Sequence, residues 1–340
     1  MLSKSWCRVA TFLAMTSRQS LEVPLNGFQG TQVKRPSFKI VLSYLAIYIV
    51  WGSTYLFIRM GVETLPPFCL VGFRFLLGGI AFLALSLATG RLRTFPSFAE
   101  LLSALFLGVF LLLLGNGLVS VAEQSVDSYL AALTIAATPF CVALFNRVIF
   151  REKLAAFRLV GMLCGMLGVG LILYNGNNIA SSLTPGIGVV IAGLFCWSLA
   201  TSLGHKMKVH ANTLVNSGLQ MTFAGSIALI LSGFLYHPIL AILPAVSARS
   251  WIGCAYLTVP GGAAFFCYSY LIKHEPSIRV VSYAIINPLI AVLLGLLFAK
   301  EKATPLLWMG FPLILASLGI MLYGGEIAKK FAGKNSPFPG

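Results

Sequence analysis

Charge is scarce in this chain, and acid scarcest of all. Of 340 residues, 24 are Lys or Arg, 9 are Asp or Glu, and charged residues make up only 10%. A soluble globular chain carries about 25% charge. Hydrophobic residues reach 58% and mean hydropathy is +0.90, so polar groups cannot cover the apolar surface. That excludes a soluble enzyme, an intrinsically disordered chain and a collagen-like repeat. Patterns that carry chemistry are as sparse. The cysteines (Cys7, Cys69, Cys141, Cys164, Cys196, Cys254, Cys267) are scattered without a C-x-x-C. They indicate neither a disulfide frame nor a zinc site and read as small packing residues. The histidines (His205, His210, His237, His274) stand apart, and no D-D-x-x-D, H-E-x-x-H or G-x-x-x-x-G-K-[ST] occurs. No catalytic residue, metal or cofactor is therefore expected, which weighs against a membrane-embedded enzyme acting on lipid-linked substrates.

What the sequence has is long apolar runs. A bilayer-spanning helix takes about 20 mainly apolar residues. Ten such segments fall near 39–60, 66–88, 101–122, 127–149, 155–174, 185–204, 214–236, 250–272, 279–299 and 304–325. The connections are short, except 237–249, which contains Pro238 and Pro244 and is expected along the interface. Residues 1–38 and 327–340 read as cytoplasmic tails, the first unstructured. A targeting segment and an early start codon are the alternatives for residues 1–38.

The net charge of +15 would suggest nucleic acid in a soluble protein. In a membrane chain it reads as topology, since Lys and Arg collect on the cytoplasmic side, and no nucleic acid is expected. With the N-terminus inside, nineteen basic residues fall on the cytoplasmic side and four (Arg59, Arg249, Lys300, Lys302) on the other. An odd number of spans would scramble that bias. The expectation is a multi-pass protein of the cell inner membrane with both termini cytoplasmic, its partners the lipid bilayer and a small-molecule substrate, its state monomer or homodimer.

The two halves are related. Residues 128–176 slide onto 277–325 without a gap and ten positions are identical. Ser128 meets Ser277, Pro139 meets Pro288, Leu144 meets Leu293, and Glu152-Lys153 meets Glu301-Lys302. Gly161, Gly170 and Gly176 meet Gly310, Gly319 and Gly325, and Leu173-Tyr174 meets Leu322-Tyr323. Apolar composition alone does not align a proline, an acid–base pair, a tyrosine and three glycines. Five spans per copy is odd, so the second copy is inverted. The fold class expected is an all-α membrane protein of ten transmembrane helices in two inverted five-helix repeats, over 39–176 and 184–326. Inverted repeats are the architecture of alternating-access transporters, with the site near the midplane.

The run Trp51-Gly52-Ser53-Thr54-Tyr55, with Ile58-Arg59 and Gly61-Val62-Glu63 after it, resembles the opening of the EamA family of the drug/metabolite transporter superfamily. Pro66-Pro67, Arg74-Phe75, Gly115-Asn116-Gly117, Thr138-Pro139, Glu152 and its echo Glu301 continue the likeness over roughly 40–325. It is nearest the bacterial metabolite exporter-like branch. The resemblance implies that helices 1–4 and 6–9 surround a cavity while helices 5 and 10 sit outside it. The sixth segment departs from the pattern: it reads Cys196-Trp197-Ser198-Leu199-Ala200, without the glycine that follows Trp51.

Arg74 is a full charge about 10 Å into the second helix at 1.5 Å per residue, where burial costs several kcal/mol. It either attracts a substrate carboxylate or clamps helices through backbone carbonyls or Glu123. Tyr44, Tyr48, Trp51 and Tyr55, spaced four, three and four apart, share one helix face with Thr54 close by; Trp51 and Tyr55 are assigned to the cavity and Tyr44 to an interfacial belt. Pro139 and Pro288 occupy equivalent places, each freeing the carbonyl four residues back (Ile135 and Ala284). Paired breaks mark a transporter site, and these two are the candidate hinges. The candidate pathway is Trp51, Thr54, Tyr55, Arg74, Asn116, Thr138, Trp197, Thr201, Tyr268, Tyr283 and Asn287. Ser198 is a further polar candidate. Glu152 and Glu301 read as acids complementing helix N-termini, and Gly161-x-x-x-Gly165 as a close helix contact, within one chain or between two. Glu123 and Asp127 lie at outer helix ends, so a buried carboxylate for proton coupling is not evident. The function expected is a secondary transporter exporting small metabolites, amino acids or similar amphipathic compounds, by alternating access. A nucleotide or phosphorylated-metabolite exchanger of the same superfamily is the nearest alternative.

Overall fold

The computed structural model describes residues 37–92, 94–126, 131, 134–152, 154–173, 185–236, 243–298 and 305–332. Residues 1–36, Asp127, residues 174–184 and 237–242, Glu301 and the residues beyond 332 lie outside the described residues, and the expectations for them stop there.

Helices carry the whole of the regular structure among the described residues. They are α1 (Phe38–Val62), α2 (Pro67–Ala88), α3 (Phe98–Ala122), α4 (Thr138–Phe150), α5 (Ala156–Leu173), α6 (Pro185–Gly204), α7 (Thr213–Leu235), α8 (Ala248–His274), α9 (Tyr283–Phe298) and α10 (Pro305–Ala332). Of these, α1, α2, α3, α6, α7 and α8 are long and apolar enough to cross a membrane, and shorter apolar stretches fall in α4, α5, α9 and α10. The protein is a multi-pass, all-α membrane protein in two inverted repeats, with these ten helices among the described residues.

Local chemistry sets the ends. The Ser37 hydroxyl accepts from the Ile40 N–H at the start of α1. Ser97 and Glu100 close a capping box at α3. Asn212 and Ser247 cap α7 and α8. Pro67 opens α2, where its missing N–H costs nothing, and Gly90, at φ +60, turns the chain away after it.

Three departures from the sequence reading have physical causes. The fourth segment is not one continuous helix from 127: a turn at Ala136–Ala137 precedes Thr138, where Pro139 sits in the first turn. The ninth starts as a one-turn helix, Ser277–Val280, and restarts at Tyr283. The C-terminal tail expected from 327 is still helical to Ala332, because 327–332 holds good helix formers and neither Gly nor Pro.

Inversion shows in the pairing of helices. Counting five along the chain maps α2 onto α7 and α5 onto α10, and those two pairs pack on each other. The same mapping carries α1 on α8 into α6 on α3, and α1 on α9 into α6 on α4, all of which are packed pairs. Glycines permit the closest approaches. A Cβ on Gly225 would lie 2.3 Å from the Leu76 backbone nitrogen, and one on Gly79 2.6 Å from that of Thr222, so α2 and α7 touch backbone to backbone. The Gly161-x-x-x-Gly165 pair is an intrachain contact: Cβ atoms there would meet Ile320 at 2.9 Å and Ser317 at 2.5 Å on α10.

Candidate functional site

Residues 89–92 and 94–97, 205–212 and 275–276 gather at one end of the bundle, here the basic end; 63–66, 123–126 and 243–247 lie at the far end. Between α1, α2, α3, α4, α6, α8 and α9 lies a cavity of about 90 Å³, room for several waters. It runs from mid-bundle, at Trp51 and Trp197, toward the far end, at Ile58, Arg74 and Val119. Thr54, Tyr55, Asn116, Thr138, Tyr283 and Asn287 also line it. Trp51, Thr54, Tyr55 and Ile58 reach it because spacings of three and four stay on one helix face. Gly52, on the neighbouring face, lets α1 approach α9 closely enough that a Cβ would lie 2.6 Å from Ile290.

Arg74 is 4% exposed. Its Nη2 donates to Asn116 Oδ1 at 2.6 Å. Neither a backbone carbonyl nor a contact ion pair with Glu123 holds it among the described residues, and its buried Nε has no hydrogen-bond partner among them. Asn116 ends a nine-residue π-helical stretch, Gly108–Asn116. Its amide also donates to the Leu111 carbonyl five residues back, at 3.3 Å. The wide turns therefore position the residue that orients the guanidinium, in keeping with the tendency of π segments to mark functional places.

The paired prolines sit differently, Pro139 in the first turn of α4 and Pro288 inside α9. Pro139 has no N–H to give Ile135, and the Thr138 hydroxyl donates to that carbonyl instead. On α9, Asn287 is 3% exposed and its Oδ1 is buried without a partner among the described residues.

Toward the basic end the cavity is floored by rings. Trp51 packs on Tyr283 at 4.8 Å, on Tyr268 at 5.1 Å and on Trp197 at 5.5 Å between centroids. Tyr268 also touches Trp197 and Tyr283. Edge-to-face and tilted rings at these separations are attractive, about 0.5–1.5 kcal/mol per pair. Hydroxyls pin the layer: Thr201 with Tyr268 at 2.6 Å and, below it, Tyr48 with Ser282 at 2.8 Å. Nearer the basic end, Asn146 of α4 donates to Ser277 and to Glu152 and accepts from Ser202 of α6. Glu152 thus receives a side-chain amide in addition to any helix-end role.

Beyond the layer lies a second chamber of about 300 Å³, lined by Thr201, His205, Lys208, Asn216, Gln220, Tyr268 and Lys273. Of the sequence candidates, Thr201 and Tyr268 line this chamber rather than the first. Ser198 is fully buried in neither lining set. Tyr44, expected at an interfacial belt, has a buried hydroxyl and packs on Tyr48.

Sequence reasoning missed the apolar wall: Ile58, Leu112, Val119, Leu257 and Phe265 carry no signal that separates a cavity wall from a core. It also missed the burial of Glu123, which is 4% exposed.

Known proteins match this architecture. The model of the EamA-like transporter family matches residues 38–174 and again 184–323. The chain is 33% identical over 285 residues to the uncharacterized inner membrane transporter YedA of Escherichia coli K12, covering 82% of this chain and 90% of that protein. It is 20% identical to the uncharacterized transporter YoaV of Bacillus subtilis, over 82% and 95% of the two chains. Protein PagO of Salmonella typhimurium is 23% identical over 74% and 83%. A solved crystal structure shares the fold with a TM-score of 0.68 at 19% identity, over 85% of this chain and 98% of that one.

Proposed function

The chain belongs to the EamA-like transporter family, and we propose that it is a secondary transporter of the inner membrane that exports small metabolites by alternating access. The observation that carries the reading is two chambers on one line, separated by one layer of rings, with a buried guanidinium in the first. Both repeats contribute to the layer: Trp51 from the first, Trp197, Tyr268 and Tyr283 from the second. Rocking one repeat against the other breaks the Trp51 ring contacts and the Tyr48–Ser282 hydroxyl bond, a modest barrier compared with unpacking a core.

The first chamber suits a small zwitterion or anion. Arg74 offers its unpartnered Nε to a carboxylate, Asn287 Oδ1 offers an acceptor to an ammonium, and the Trp51 and Tyr55 rings offer apolar surface. Amino acids and similar amphipathic compounds combine those three features. Both termini lie on the cytoplasmic side in this reading, which makes the basic end cytoplasmic and the second chamber the loading vestibule. Monomer and homodimer both accommodate the mechanism, because the chambers lie within one chain.

Counterflow in proteoliposomes tests the proposal. Vesicles preloaded with unlabelled amino acids are expected to accumulate labelled ones; no exchange with any amino acid overturns the substrate class. Lys208, Lys273 and His205 around the vestibule favour a second reading, exchange of nucleotides or phosphorylated metabolites. Labelled nucleotides and sugar phosphates in the same assay decide between the two.

A further inference from the structure

Resting on the transport reading, we infer that Glu123 is a proton-binding site linked to the anion site at Arg74, so that a proton on Glu123 and a carboxylate on Arg74 strengthen each other. Glu123 follows α3 directly, as its C-terminal cap, and is 4% exposed. Neither carboxylate oxygen has a hydrogen-bond partner among the described residues, and both are buried. A carboxylate taken out of water without hydrogen bonds is strongly disfavoured against its neutral acid.

Its surroundings set the balance. Ala122, Val126, Ala131 and Val190 form the apolar cluster at this corner. From α1, Tyr55 and Arg59 act electrostatically on the group, and from α2 Arg74 does. Cys254 of α8 acts on Arg74 in turn. Residues 185–204 of α6 carry no charged side chain, and Asp127 lies outside the described residues. Burial pushes the Glu123 carboxyl up to about 8 even against the guanidiniums of Arg59 and Arg74, which pull it down. The group therefore changes charge near neutrality rather than at acid pH.

Linkage follows from charge alone. Ionised, Glu123 is the anion that already occupies the field of Arg74, and a substrate carboxylate arrives into a neutralised site. One proton added to one carboxylate oxygen removes that competitor. By reciprocity, a bound carboxylate neutralises Arg74 and raises the affinity of Glu123 for its proton by the same factor. No other bond forms or breaks, and water supplies the proton.

Two measurements test the inference. In the first, wild type and Glu123→Gln in lipid nanodiscs, without any substrate, are titrated from pH 5 to 10 by infrared difference spectroscopy. A protonated-carboxyl stretch lost on alkalinisation in the wild type and missing from Glu123→Gln is expected. If Glu123→Gln does not fold, Glu123→Asp serves, with that band shifted in frequency. A wild type without such a band, or a band unchanged in the variants, overturns the assignment. In the second, counterflow of labelled amino acids is measured at pH 6 and 9. The wild-type apparent KM is expected to be about 5-fold or more lower at pH 6, and the profile of Glu123→Gln flat. Equal pH dependence in both proteins overturns the linkage. A wild type that exchanges none of the labelled amino acids at either pH overturns the substrate reading instead, while the substrate-free titration still judges Glu123.

Discussion

Replacing Arg74 by leucine separates two roles a buried guanidinium can play. In the folded chain Arg74 makes one side-chain hydrogen bond, to Asn116 Oδ1 at 2.6 Å. Arg74→Leu removes it and leaves the Asn116 oxygen without its donor, a cost of about 1–3 kcal/mol. The same change removes the burden of holding a charge away from water, several kcal/mol in the opposite direction. Net stability is therefore expected to hold or rise, seen as unchanged membrane yield and an equal or higher melting temperature in detergent. Transport is expected to behave differently. A charge-assisted hydrogen bond to a substrate carboxylate contributes about 1.5–3 kcal/mol, so its loss raises the apparent KM in counterflow about 10- to 150-fold at 1.36 kcal/mol per decade. Arg74→Lys keeps the charge without the planar fork and falls between. The double variant Arg74→Leu/Asn116→Leu is expected to recover any lost stability and no transport. Parallel loss of stability and exchange in Arg74→Leu, with both restored in the double variant, would refute the reasoning and leave Arg74 a helix clamp.

Other expected outcomes are as direct. Gly225→Val forces a side chain onto the Leu76 backbone, where a Cβ alone would stand 2.3 Å away; a loss of about 1–3 kcal/mol and a lower melting temperature are expected. Gly233→Ala, on the same helix with open space around its Cβ position, is the control and should melt no lower than the wild type. Tyr48→Phe removes the hydroxyl bond to Ser282 between the two repeats, worth about 1 kcal/mol, and is expected to shift the ring layer about 5-fold toward its open arrangement, read as higher uncoupled substrate leak. Because Glu123 binds its proton more tightly when folded than when unfolded, wild-type stability should fall as pH rises from about 4.5 to about 8. Thermal melts across that range are expected to show the decline in the wild type and not in Glu123→Gln.

Much of this could be read from residue order. Trp51, Thr54, Tyr55 and Arg74 reach the cavity because helix periodicity fixes which side chains share a face, and Pro139 with Pro288 marks the halves as copies. Periodicity does not say on which side of a one-ring-thick layer a residue falls, so Thr201 and Tyr268, grouped with the others by polarity, line the second chamber. Nor does it tell a continuous helix from one restarted after a turn. At the break before Thr138 a hydroxyl takes over the carbonyl Pro139 cannot serve, a local trade that hydropathy does not register. Glu123 looks like an ordinary polar helix end, and its burial shows only once Val190 of α6 is brought onto Ala122, Val126 and Ala131 at that corner. The glycine pair of α5 reads equally as a dimer face until α10 is seen packed on it.

The central claim is that two chambers on opposite sides of the Trp51–Trp197–Tyr268–Tyr283 layer are halves of one alternating pathway. Single cysteines at Thr54 and Thr201, placed in a cysteine-free background, test it with a membrane-impermeant thiol reagent applied to right-side-out and inside-out vesicles. The account predicts that Thr54→Cys reacts only from outside and Thr201→Cys only from the cytoplasmic face, with saturating substrate moving the two rates in opposite directions. Reaction of both positions from the same face, or of either from both faces at once, would contradict it.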